Sequence, residues 1–265
     1  LNPTATSETI PLAASVNGEG ITMEAFENEL KRYEADHTAI GTDLATLEDY
    51  EHQVLQAMID RRLLAQGAQA AGQAFDELEI MEKLAGLALE IGGQEALDAW
   101  MAANFYTLES LLAALEEDML AAKMVEIIVS DLPTSMEQVH ASHILVADPD
   151  TAEYLRQRIS FGDDFATLAV EYSTDTSTGL SGGDLGWFPR GTLTMSEVEE
   201  VAFDLEPGEV SEVIESTLGF HIVKCVERGE HPLSPDALRR QHEQAILDWL
   251  NDQRDTVAIE ILITH

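Results

Sequence analysis

Apolar residues in the first half of the chain recur at helical spacing. Met23, Phe26, Leu30 and Tyr33 form one stripe, with Thr22 placed to cap it. A second stripe of Leu47, Tyr50, Val54, Met58, Leu63 and Leu64 predicts a helix starting behind Thr46. Two shorter helices are expected near Asp76 to Ile91 and Gln94 to Ala103, broken by Gly92-Gly93. A long one should run from Leu108, behind Thr107, to about Val129, with Pro133 beyond its end. Ahead of them, Ala14 to Ile21 reads as a short strand turned at Asn17-Gly18.

From Val139 the pattern changes to strand-like runs, short helices and Gly-rich turns, and this second domain is expected to end near His231-Pro232, after a strand from Gly219 to Val226. Ser234-Pro235 then opens an amphipathic helix carrying Leu238, Ala245, Ile246, Trp249 and Leu250. Ile259, Ile261 and Ile263 alternate with Ala258, Glu260 and Leu262 as in a strand. A lone opening strand and a lone closing strand each need a partner, so the two are expected to pair. The expected architecture is α+β, with four stretches: a flexible leader at 1–13, a helical domain at 14–135, an inserted α/β unit at 136–231, and a helix and strand at 232–265 that complete the helical domain.

Composition narrows the functions. Of the 265 residues, 14 are Lys or Arg and 50 are Asp or Glu, a formal charge of −36. Tracking nucleic-acid phosphates or an anionic membrane needs clustered cations, which this chain lacks. Its apolar stretches are interrupted by charge every few residues, so no transmembrane span is expected. Leu1 to Ser7 are polar and carry no apolar signal region, which fits a processed form or a trimmed chain equally; an anchor upstream of Leu1 stays open. The single cysteine, Cys225, excludes an internal disulfide and a multi-thiolate metal site.

Four segments of the inserted unit carry candidate chemistry: Ala141-Ser142-His143-Ile144-Leu145-Val146, Tyr172-Ser173-Thr174-Asp175, Ser181-Gly182-Gly183-Asp184-Leu185-Gly186-Trp187-Phe188 and Leu218-Gly219-Phe220-His221-Ile222-Val223. Strand alternation puts His143 and His140 on opposite faces, which argues against a metal pair. Gly179-Leu180-Ser181-Gly182-Gly183 satisfies G-x-S-x-G, but a nucleophile elbow needs a strand before it and a helix after it, and neither is expected here. In order and spacing, the segments resemble the parvulin family of peptidyl-prolyl cis/trans isomerases over roughly 138–228. The flanking helices, with Val16-Asn17-Gly18 and the run Ile59 to Leu64, resemble the chaperone domain of the SurA and PrsA type of extracytoplasmic foldase.

The resemblance implies a parvulin-like domain, a small antiparallel sheet flanked by helices, inserted in a mostly helical SurA-like chaperone domain formed by both chain ends. It implies an isomerase and folding chaperone for secreted or envelope proteins, acting on unfolded polypeptides containing Xaa-Pro. Neither a metal nor an organic cofactor is needed, and the setting is the periplasm or cell envelope. Carried over by position, His143, Asp175 and His221 are the catalytic candidates and Ser216 supports the histidines. The proline pocket would be drawn from Leu185, Phe188, Leu193, Met195 and Val198. The segment from Gly191 to Val198 is one residue longer than usual, so Leu193 or Met195 fills the pocket Met position, while Val198 stands where an aromatic ring normally covers the proline. Weaker turnover is therefore expected, and a holdase whose parvulin unit only binds peptide is the alternative reading. Ala147-Asp148-Pro149-Asp150 holds no basic cluster, which argues against phosphoserine-proline recognition.

Overall fold

A computed structural model describes residues 10–47 and 49–263. Strands β1 (Leu12–Val16) and β2 (Glu19–Thr22) form an antiparallel hairpin. Its two turn residues, Asn17 and Gly18, both take positive φ, 52° and 83°, as a two-residue hairpin turn requires. Strand β1 thus begins inside the leader expected at 1–13, of which residues 1–9 lie outside the described residues. Far along the chain, β7 (Ile259–Ile261) pairs with β1, Ala14 opposite Ile261 and Val16 opposite Ile259, giving the sheet order β2-β1-β7. The opening and closing strands do pair.

The helices follow the apolar stripes: α1 (Met23–Ala39), α2 (Tyr50–Ala70), α3 (Glu77–Ile91), α4 (Gln94–Ala103) and α5 (Leu108–Ser130). Thr22 Oγ1 accepts the Ala25 N–H at 3.1 Å, and Asp76/Glu79 and Thr107/Ser110 form capping boxes. The start of α2 differs from expectation. Leu44–Thr46 is a single 3-10 turn, opened by Asp43, whose carboxylate takes the Ala45 N–H at 3.1 Å. The chain then bends through a left-handed Asp49 (φ 55°) before α2 begins, leaving Leu47 outside the helix.

Val16, Leu55 and Ile59 are fully buried in the core of this unit, closed by Phe26, Leu63 and Leu250. In the run Ile59 to Leu64, Ile59 and Leu63 fill that core while the charged residues between them tie neighbouring helices together. Asp60 pairs with Arg254, Arg61 lies 3.2 Å from Asp118 and 3.7 Å from Glu29, and Arg62 lies 2.6 Å from Glu117. Arg254 belongs to α9 (Pro235–Thr256), whose first turn is capped by Ser234.

The other unit contains β3 (Ser135–Val146), α6 (Pro149–Ser160), α7 (Phe165–Tyr172), β4 (Asp184–Phe188), α8 (Ser196–Asp204), β5 (Ile214–Ser216) and β6 (Gly219–Pro232). Its antiparallel sheet runs β4-β3-β6-β5. The two central strands are longer than their apolar alternation suggests, because polar side chains hold the added ladder. Gln138 Nε2 donates to the carbonyls of His231 and Pro232, and Ser135 Oγ donates to Glu230 at 2.8 Å. One sheet face packs Ile144 and Ile222 against Leu155, Phe165 and Leu168; the other packs Val139 and Val223 against Val198 and Phe203.

Contacts group the described residues up to Leu132 with those from His242 onward, and Pro133–Gln241 as a second unit. These divisions lie outside the expected 136 and 231: β3 begins at Ser135, and the second unit runs past the end of β6 into the first turns of α9.

Candidate active site

His143 comes from β3 and His221 from β6, on the two central strands, where both rings are at most 1% exposed. A buried imidazole needs partners for both nitrogens. The rings stack 5.5 Å apart, and their Nδ1 atoms approach to 3.4 Å. His143 Nε2 lies 2.8 Å from Asp175 Oδ2 and 3.1 Å from Thr178 Oγ1; His221 Nε2 lies 2.7 Å from Ser216 Oγ.

Facing a carboxylate, His143 Nε2 is a donor, and the two Nδ1 atoms share one hydrogen bond between the rings. Ser216 Oγ in turn accepts the Leu218 N–H at 3.1 Å. A continuous hydrogen-bonded chain thus joins Ser216, His221, His143 and Asp175.

Burial works to raise the Asp175 carboxyl, but hydrogen bonds from Ser177, Thr178 and His143 outweigh it and hold the group well below the usual carboxylate range. Ser177 binds twice, through its hydroxyl at 2.6 Å and its N–H at 2.9 Å. For His221, burial and then the neighbouring His143 keep the ring below the usual imidazole value. The site therefore presents one ionised carboxylate beside a neutral histidine, His221.

Local sequence explains the placement. After Tyr172, Ser173 Oγ accepts the Leu145 N–H and the Thr174 N–H donates to the Leu145 carbonyl at 2.7 Å, so the loop carrying Asp175 is tied to the β3 end beside His143. Gly183, at φ 78°, accepts the His143 N–H at 2.8 Å through its carbonyl, and a Cβ there would lie 2.0 Å from the His143 oxygen.

The structure brings His143, Asp175, His221 and Ser216 together. His140 lies apart, 2.7 Å from Asp184. Of the residues expected to form the proline pocket, Leu185, Leu193 and Met195 keep partial exposure. Phe188 and Val198 differ from expectation: Val198 has no exposed surface and Phe188 only 2%, because α8 presses both into the cluster with Val139 and Phe203. Thr178 and Ser177, which fix Asp175, had no periodic signal in the sequence. Gly179–Ser181 is a 3-10 turn leading to β4, and no nucleophile elbow forms. Cys225 is buried in the core beneath the sheet. Among the described residues no group of three or more His, Cys, Asp or Glu could hold a metal, and no helix is long and apolar enough to cross a membrane.

Comparison with known proteins gives the family. Residues 143–227 match the PPIC-type PPIASE domain, and residues 2–125 match the SurA-like N-terminal domain. The foldase protein PrsA of Halalkalibacterium halodurans is 35% identical over 233 residues, covering 81% of this chain and 67% of the relative. PrsA of Caldanaerobacter subterraneus subsp. tengcongensis is 31% identical over 225 residues, covering 80% and 72%. The crystal structure of peptidylprolyl isomerase PrsA from Bacillus cereus aligns with a TM-score of 0.48 at 23% identity, covering 95% of this chain and 87% of that one. The chain belongs to the PrsA foldase family, joining a SurA-like N-terminal domain to a PPIC-type peptidyl-prolyl isomerase domain.

Proposed function

We propose that His143, Asp175 and His221 form the polar wall of the isomerase site, Ser216 orients His221, and Leu185, Leu193 and Met195 receive the prolyl ring of unfolded secreted or envelope polypeptides outside the cytoplasm. The buried chain from Ser216 to Asp175 carries this reading; family membership supports the client class and the setting.

An Xaa-Pro amide is held planar by resonance, with a barrier of about 18–20 kcal/mol, and rotates unaided over tens to hundreds of seconds. No covalent step is needed. The planar form places negative charge on the carbonyl oxygen, and a fixed carboxylate beside it makes that form less favourable. His221, held below the usual imidazole value, adds no counter-charge that would cancel the effect, and an apolar pocket replaces water around the ring. Each tenfold in rate requires about 1.4 kcal/mol of preference for the twisted amide.

The test is cis/trans exchange of Xaa-Pro peptides by NMR with the full chain, Asp175→Ala and His221→Ala, alongside suppression of client aggregation. Acceleration lost in both variants, with client protection kept, is expected. Protection without acceleration in any of the three proteins would leave the holdase reading standing.

A further inference from the structure

The segment between β4 and α8 carries Leu193 and Met195, either of which could serve as the pocket wall. One side chain organises it. Glu199, in the first turn of α8, reaches back with both carboxylate oxygens: Oε1 accepts the Gly191 N–H at 2.7 Å, and Oε2 accepts the N–H groups of Thr192 and Leu193, each at 2.9 Å. Three consecutive N–H groups can converge on one anion because Gly191 takes φ 78°, making a backbone nest of the kind that binds carboxylates and phosphates. Arg190, just before the nest, stacks 4.2 Å over the Phe203 ring.

We infer that Glu199 is a positioning residue for the proline pocket: by filling this nest it fixes Leu193, rather than Met195, as the wall that meets the prolyl ring. This rests on the isomerase reading of the pocket. Leu193 is bonded to Glu199 through its own N–H. Met195 sits at the start of α8 without a side-chain cap bond, and its carbonyl accepts the Glu199 N–H at 3.1 Å, so it belongs to the helix end. Both side chains pack on the cluster around Val198 and Phe203, so burial does not separate them. The carboxylate does. Without it, three N–H groups lose their partner, and the loop exchanges one backbone arrangement for many.

NMR line shapes of an Xaa-Pro peptide with the full-length chain give KM and the bound-state exchange rate separately. Glu199→Ala should raise KM about tenfold, equivalent to about 1.4 kcal/mol of binding, and leave the exchange rate within about twofold. Glu199→Gln, which keeps one acceptor oxygen, should fall between. If Glu199 acts through Leu193, Leu193→Ala combined with Glu199→Ala should be no worse than Leu193→Ala alone. Its effect should instead multiply with that of Met195→Ala. An unchanged KM in Glu199→Ala, or in Glu199→Gln should the alanine variant not fold, overturns the role; so does coupling to Met195 in place of Leu193. Those results leave the isomerase reading intact, because wild type still accelerates exchange. A wild type that fails to accelerate exchange overturns both.

Discussion

His221 is the residue in which burial, hydrogen bonding and pH meet. Its folded value is depressed, so the unfolded chain takes up a proton before the folded one does. The stability it contributes is therefore fully present above about pH 6.5 and is lost as pH falls through the lowered folded value. Urea midpoints of the isomerase unit, followed through its amide signals in the full chain, should drop between about pH 7 and 5. His221→Gln should flatten that slope; an identical slope would show that His221 is not its source. Val198 offers a second test. With no exposed surface among Val139, Phe188 and Phe203, it has no room for a ring, and Val198→Phe should lower stability by about 1–3 kcal/mol by urea titration. A lower KM at unchanged stability would instead place residue 198 against the ligand.

At the scale of elements, the site depends on where two strands and one loop touch. Gly183→Ala would push a methyl into the His143 carbonyl and strain a left-handed turn, costing about 2–4 kcal/mol. Thermal melting should show the loss, together with a shift of the His143 ring signals; a wild-type melt would mean the loop can move away freely. These contacts also explain what could be read from the sequence. The helices from Glu77 to Ser130 were visible because stripe, cap and glycine break agreed. His143, Asp175 and His221 were visible only through consecutive motifs that resemble a family, since neither histidine has a distinguishing period. Ser177, Thr178 and Glu199 were hidden because their partners are set by folded loops, not by neighbours at fixed spacing. Val198 was misjudged for a related reason: a family position tells which residue stands there, and burial depends on what packs over it. The start of α2 was misplaced because Asp43 opens a separate 3-10 turn and a left-handed Asp49 precedes the helix.

At the scale of the whole molecule, the chain enters the isomerase sheet and leaves it on paired strands. Ser135 pairs with Pro232, and the Leu233 N–H donates to the Thr134 carbonyl at 2.8 Å. Removing 135–232 and joining Thr134 to Leu233 through an Asn-Gly turn should therefore leave a helical protein with a cooperative melt by circular dichroism; a non-cooperative melt would show that the helical unit needs its guest.

The pairing of Ala14 with Ile261 also sets an order of events in time. A ribosome adds about 5–20 residues per second, so roughly 10–50 s separate the appearance of β1 from that of β7. Throughout that interval β1 has an unclaimed edge, and before it ends both long strands of the isomerase, β3 and β6, have been made. The guest is born complete inside an unfinished host, and each new copy of this foldase must keep β1 from mispairing until β7 arrives.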